Sequence, residues 1–295
     1  MFRVRRLLAP FVLCIALLFS EAQAFTIAWL SDTQNYHNAY KPIFDGMTQW
    51  IADNRAALDI RFVFHTGDVV GRWSSEDQWR QARESMGILS NASIPFLTVC
   101  GNHDIGYRMN YANFLKYVLS LRPASMSQEY GDTGSRYELF SANGRDYIFM
   151  GIAFSNKGPS EDEVNWINGV LRQYSSRDAI IITHSYIKKS ASYTTQGKAI
   201  FEKIVKANPN VFLVLCGHCR DISYKNVQLD DDGDGDPDRT VYAILSNFQG
   251  SKAGGGGYMR ILDFRDSDIY IYTYSPYYDS CEYPKGKTEA TVPLP

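Results

Sequence analysis

The stretch Phe96-Leu97-Thr98-Val99-Cys100-Gly101-Asn102-His103-Asp104 is a short apolar, β-type run that stops at a glycine followed by three polar side chains. It reads as a buried strand whose end opens into a loop carrying reactive groups. The same arrangement recurs on either side. Phe25–Leu30 ends in Ser31-Asp32-Thr33-Gln34, and Ile60–Phe64 in His65-Thr66-Gly67-Asp68. Ala179–Thr183 ends in His184, and Val211–Cys216 in Gly217-His218; Ile148–Ala153 is a further strand-like run. Amphipathic stretches near Ile43–Leu58, Gln78–Leu89, Asn110–Leu121, Glu163–Tyr174 and Gly197–Ala207 lie between these runs and predict helices. Strands alternating with helices imply βαβ units. From Tyr224 onward only strands are expected: Val241–Ser246, Tyr258–Phe264 and Ile269–Ser275, the last two joined by a turn at Arg265-Asp266-Ser267-Asp268. The expectation is an α/β protein with a β-rich C-terminal part, two sheets sharing one core, and a single domain over residues 25–295.

In open α/β sheets, ligands sit beyond the carboxyl ends of the strands. Taken singly, an aspartate after a strand is a turn former or helix cap, and a histidine is a packed or hydrogen-bonded side chain. Five strand ends bringing carboxylates, amides and imidazoles to one edge point instead to a metal centre. Mixed oxygen and nitrogen donors suit manganese, iron or zinc. A cysteine-based zinc site is not indicated, because Cys216-Gly217-His218-Cys219 has no second pair.

In this order, Asp32, Gly67-Asp68, Gly101-Asn102-His103-Asp104, His184 and Gly217-His218 resemble the motifs of calcineurin-like metallophosphoesterases over about residues 25–220. The opening Asp32-Thr33-Gln34, the glycine-rich Gly256–Arg260 and the tail Thr273–Pro276 are similar to those of an exported subgroup. The resemblance implies an αββα four-layer sandwich of two mixed β-sheets and a two-metal site that activates water to hydrolyse phosphate mono- or diesters. It implies that Asp68 bridges the metals, that Asn102, His184 and His218 complete the second position, and that Asp32 holds the first. His103, held by Asp104, becomes the acid that protonates the leaving oxygen. Arg72 becomes a phosphate clamp, against the alternative of an ordinary surface arginine.

Two departures from the family pattern fall on the first metal. Where members usually have Asp-x-His, this chain has Asp32-x-Gln34, and where they have Gly-His-x-His it has Gly217-His218-Cys219-Arg220. The first position thus keeps Asp32, Asp68 and the Gln34 carbonyl, an oxygen set favouring manganese or magnesium and weak enough to stand empty. Arg220 repels a cation unless it turns toward the substrate phosphate. His37 is either a substitute ligand or a loop histidine, and His65 reads as a supporting or packing residue.

With 30 basic and 32 acidic residues the formal net charge is −2, which argues against a nucleic-acid binder working through bulk charge. Arg3, Arg5 and Arg6, the apolar run Leu7–Phe19 and Ala22-Gln23-Ala24 read as a signal peptide over residues 1–24. Its removal takes away three arginines and Glu21, leaves a net charge of about −4, and implies a secreted or periplasmic protein with no later membrane span. Of the cysteines left, Cys219 and Cys281 are a possible bridge, with the pairing open. Asp230, Asp232 and Asp234 match the start of a calcium loop, against the alternative of a solvated hairpin tip. Gly254–Gly257 is either a flexible loop or a place where backbone approaches a ligand. Tyr36, Tyr107, Tyr186 and Tyr193 stand near strand ends and could stack on a base or sugar, or simply pack. The expected partner is a small phosphate ester. The alternative is a degenerate member that binds a phosphorylated ligand or envelope component without turnover, although such a module needs no leaving-group acid.

Overall fold

The computed structural model describes residues 24–106, 109–121, 128–283 and 289–295; the expected signal segment, apart from Ala24, and Tyr107 lie outside the described residues. Six strands, β1 (Phe25–Leu30), β2 (Ile60–His65), β3 (Phe96–Thr98), β11 (Met259–Phe264), β12 (Asp268–Tyr274) and β13 (Ala290–Pro293), form one sheet in the order β13-β12-β11-β1-β2-β3. Seven others form the second: β4 (Gln128–Tyr130), β5 (Ser135–Ala142), β6 (Arg145–Ile152), β7 (Asp178–Thr183), β8 (Val211–Cys216), β9 (Asp221–Leu229) and β10 (Arg239–Asn247). Their order is β4-β5-β6-β7-β8-β10-β9. The β-rich C-terminal part is therefore divided between both sheets.

Alternation along the strands explains the layering. Ile27 and Trp29 of β1 face a core between the sheets, with Phe62, Phe64, Phe149, Ile180, Ile182, Leu213 and Leu215. Ala28 and Leu30 face outward, onto α1 (Lys41–Asp53) and α2 (Glu76–Asn91), through Phe44, Met47, Trp79 and Met86. On the far side Ala179 and Ile181 pack against Val164, Ile167 and Leu171 of α5 (Glu161–Gln173). Two-residue periodicity on buried strands thus yields four layers, helix–sheet–sheet–helix. Helix starts follow local chemistry: Ser75 accepts from the Gln78 N–H ahead of α2, and Ser160 from the Glu163 N–H ahead of α5. Each cap precedes acidic residues in the first turn, where the helix dipole favours them.

Several expected elements differ. After the short α3 (Asn102–Ile105), Asn110–Leu121 is shorter as a helix, α4 (Ala112–Tyr117), followed by a 3-10 turn at Leu119–Leu121. Gly197–Ala207 is α6 (Thr195–Ile200) running into a π turn at Phe201–Val205. β4, β5, β9 and β13 were not expected at all. β5 buries Arg136 and Glu138, charges that disguise a strand, and β9 is a half-exposed edge strand. The expected turn at 265–268 is present, with the Arg265 N–H donating to the Asp268 carbonyl at 2.8 Å.

Direction places the site. β1, β2 and β3 run parallel, as do β6, β7, β8 and β10. Their carboxyl ends come together where the sheets meet, and the Phe154 N–H beyond β6 donates to Cys100 O beyond β3 at 3.3 Å.

Candidate metal centre

The loops at this edge are tight and strained. Asp32, Asp68 and His218 all adopt positive φ, at 50°, 52° and 68°. Each such non-glycine residue costs on the order of 1–3 kcal/mol and persists only where its surroundings hold it. The holding bonds are visible. The His218 N–H donates to Asp32 Oδ1 at 3.1 Å, and the His103 N–H donates to Asp68 Oδ1 at 2.9 Å. Gly101 and Gly217 leave room for this: a Cβ on Gly101 would run into the Asp68 carboxylate, and one on Gly217 into the Asp32 carboxylate and the Ser31 hydroxyl.

His184 is at the centre and is fully buried. Its Nδ1 faces the Thr66 carbonyl at 2.8 Å and so carries a hydrogen, which leaves Nε2 to face the cluster. Around Nε2 stand three electron-pair donors: Asn102 Oδ1 at 3.1 Å, His218 Nδ1 at 3.2 Å and Asp68 Oδ1 at 3.3 Å. Asp68, His184 and His218 offer ligand atoms all within 4.8 Å of one another. Such a group is self-repelling unless a positive species sits among it, and the donor set fits a divalent cation. Without one, a proton substitutes. Burial would lower the His184 pKa, but the Asp68 charge and hydrogen bond, with Asp32, raise it to about 9. Burial and the His184 charge hold His218 down at about 4, neutral and able to ligate. Burial lifts Asp68, yet His184 and His103 outweigh it and hold the carboxylate ionised. Phe154, buried beyond β6, packs against both imidazoles with ring centroids 5.7 and 5.9 Å away.

Asp32 stands beside this cluster. Its carboxylate accepts from the His218 N–H and from the Ser31 hydroxyl, and burial raises its pKa to about 7. Gln34, 7% exposed, lies two residues on; its Nε2 donates to Gln249 Oε1 at 2.6 Å, while its own Oε1 is buried with no hydrogen-bond partner. A buried carbonyl oxygen without a partner, two residues along the chain from a buried carboxylate, fits an oxygen ligand for a first cation.

The expected role of Asp104 needs correction. Asp104 does not touch the His103 ring: its two oxygens accept from the Gly101 and Val70 N–H groups, at 2.7 and 3.0 Å. Burial, with the nearby Asp68 charge, raises its pKa to about 7. His103, exposed, is held instead by the Gly71 carbonyl, 2.9 Å from Nδ1. His65 is a support: its Nδ1 accepts from the Gly67 N–H at 3.1 Å, so Nε2 bears the hydrogen and points to the Thr33 hydroxyl at 3.0 Å. His37 contacts Asn38 at 3.2 Å, a loop contact. Arg72 and Arg220 both extend into solvent. Tyr36 and Tyr186 are buried, and Tyr193 stacks on Phe201, so these three serve packing. Cys100, Cys216 and Cys219 form no disulfide in this structure, so the possible Cys219–Cys281 bridge is not seen.

Two further segments resolve. At the β9–β10 hairpin tip the clustered carboxylates are Asp230, Asp232 and Asp238, whereas Asp234 accepts from the Asp236 N–H at 2.9 Å. Gly254–Gly257 is an ordered turn with φ positive throughout. A Cβ at Gly256 would meet the Tyr278 ring at 2.7 Å and one at Gly257 the Tyr277 Cβ at 2.9 Å.

Sequence reasoning missed Asn247 and Gln249. Asn247 Nδ2 donates to the His218 carbonyl at 3.1 Å, and its Oδ1 accepts from the Gln249 N–H at 3.0 Å. Because β10 runs parallel to β8, its end reaches the same edge as Gly217-His218. The signal was the same as at the other five strand ends, an apolar run closing in Asn247-Phe248-Gln249.

Two sheets of this topology, with acidic, amide and imidazole side chains at their shared carboxyl edge, define a metal-centred phosphoesterase architecture. Residues 25–219 match the family of calcineurin-like phosphoesterases, and the chain belongs to that family. It is 40% identical over 259 residues to the uncharacterized protein YvnB of Bacillus subtilis (strain 168), covering 86% of this chain and 20% of that protein. The chain thus spans about one fifth of that relative's length. Solved structures share the fold at low identity. A dimetal phosphatase from Danio rerio has a TM-score of 0.63 at 13% identity, over 92% of this chain and 99% of that one. The purple acid phosphatase PPD1 of yellow lupin has a TM-score of 0.60 at 12% identity, over 92% and 54%. No helix among the described residues is long and apolar enough to cross a membrane.

Proposed function

We propose that this chain is a metal-dependent hydrolase of phosphate mono- or diesters acting on a small-molecule substrate. One observation carries the reading: Asn102 Oδ1, Asp68 Oδ1 and His218 Nδ1 converge within 3.3 Å of His184 Nε2. Asp68, Asn102, His184 and His218 would hold one divalent cation, and Asp32, Gln34 and Asp68 a second. When bound, the cations supply Lewis acidity to the phosphoryl oxygens and lower the pKa of water.

The protein's own groups do the rest. Asp68 is kept ionised, and the Thr66 carbonyl fixes the His184 tautomer so that Nε2 faces inward. His103 is exposed and its Nδ1–H donates to the Gly71 carbonyl, so Nε2 would be the nitrogen that passes a proton to a leaving alkoxide. Arg72 and Arg220, both exposed, would engage the substrate phosphate, a role that guanidinium geometry suits. Export is part of the proposal and is supported by the sequence of residues 1–24.

The test is metal analysis of the purified chain with a panel of phosphate esters, on the parent and Asp68→Asn. Hydrolysis dependent on added manganese and lost in Asp68→Asn is expected. No bound metal and no turnover with manganese would overturn the reading in favour of a non-catalytic binder.

A further inference from the structure

The first cation position lacks imidazoles, and its amide ligand can face either way. A primary amide has a donor end and an acceptor end of nearly equal size, so its neighbours decide which end points where. At Gln34 the neighbour is Gln249: Gln34 Nε2 donates to Gln249 Oε1 at 2.6 Å, and Gln34 Oε1 is left buried without a partner. The main chain of Gln249 is held in place. Its N–H donates to Asn247 Oδ1 at 3.0 Å, and its carbonyl accepts from Asn35 Nδ2 at 3.3 Å. Asn247 in turn donates to the His218 carbonyl at 3.1 Å, and the His218 N–H donates to Asp32 Oδ1 at 3.1 Å. The bonds form a circuit from Gln34 through Gln249, Asn247 and His218 to Asp32, which is two residues from Gln34.

We infer that Gln249 is a positioning residue that turns the Gln34 carbonyl oxygen toward a divalent cation held beside Asp32. The inference rests on the two-cation reading given above. Among the described residues Gln249 Oε1 accepts the only hydrogen bond that the Gln34 amide donates, and with that oxygen turned to Gln34 the Gln34 carbonyl oxygen is the end left facing away. Removing that acceptor leaves the amide without orientation, and an NH2 end turned to a cation is repulsive. A carboxylate at position 34 has two equivalent oxygens and needs no such partner.

The test counts manganese(II) bound to the full chain by equilibrium dialysis, with electron paramagnetic resonance of the free ion as the readout. The parent is expected to bind two equivalents. Gln249→Leu should weaken the first position by about 10–100-fold, the range for loss of a group that orients a metal ligand, and leave the second unchanged. Gln34→Glu combined with Gln249→Leu should regain the second equivalent, which a merely structural role for Gln249 would not produce. Two equivalents at parent affinity in Gln249→Leu, or a double variant as deficient as Gln249→Leu, would overturn the inference and leave the two-cation reading intact. Two equivalents at parent affinity in Gln34→Leu, or one in the parent at any concentration, would instead overturn the assignment of Gln34 as a ligand and the inference with it.

Discussion

The main-chain N–H of His218 donates to both carboxylate oxygens of Asp32, at 3.1 and 3.3 Å, and so ties the end of β8 to the end of β1 across 186 residues of chain. Both residues sit at positive φ, and the glycine between β8 and His218 is what lets the loops approach. Gly217→Ala should therefore destabilise the protein by about 1–3 kcal/mol through overpacking. It should also lower metal affinity. Urea unfolding with and without manganese checks both, and an unchanged midpoint in the variant would refute the tie.

Metal loading should release protons near neutral pH. His184 has its pKa raised from 6.5 to about 9, against the effect of burial, by Asp68 and Asp32. In the metal-free protein its contribution to stability is full below pH 6.5 and is lost as pH rises through about 9. A cation displaces this proton, so the stabilisation by manganese should grow with pH over the same window. Melting temperatures with and without manganese from pH 6 to 9 measure the divergence; parallel curves would contradict it.

His103→Ala should reduce kcat by about 10²–10⁴-fold on esters with alkyl leaving groups, the usual range for loss of a general acid. On nitrophenyl esters, whose leaving group needs no proton, the loss should be far smaller. Comparing the two substrate types separates a proton donor from a residue that only shapes the loop. Equal losses on both would remove the acid role.

Asp104→Ala should act on stability. Its carboxylate satisfies the buried Gly101 and Val70 N–H groups, each of which costs about 1–3 kcal/mol when left without a partner. Because the carboxylate does not touch the His103 ring, the pH dependence of kcat in the surviving folded fraction should keep the parent's shape. A displaced acidic or basic limb would show that Asp104 reaches His103 after all.

Much of this molecule was legible in its sequence. Apolar runs of strand length closing in Asp, Asn or His identified five of the strands at the shared edge, as well as the polar groups that gather there. The order of those residues identified the family. Strand alternation is local, because successive side chains must face opposite sides, so it survives in one dimension. β5 was hidden because Arg136 and Glu138 look solvent-bound until a neighbouring sheet buries them. Gln249 was hidden for a related reason: the strand before it was read as part of a β-only tail, and its parallel partner β8 is known only from the fold.

The sequence by itself thus determined which chemical groups stand at strand ends, since that depends on residue type and two-residue periodicity alone. The few histidines and the Gln34 and Arg220 replacements were already visible there. Only the tertiary structure decided who holds whom. It took Asp104 away from His103 and gave that ring to the Gly71 carbonyl, and it set Gln249 against Gln34. Hydrogen-bond partners at the meeting of two sheets depend on directions fixed by distant strands, and no spacing along the chain records those directions.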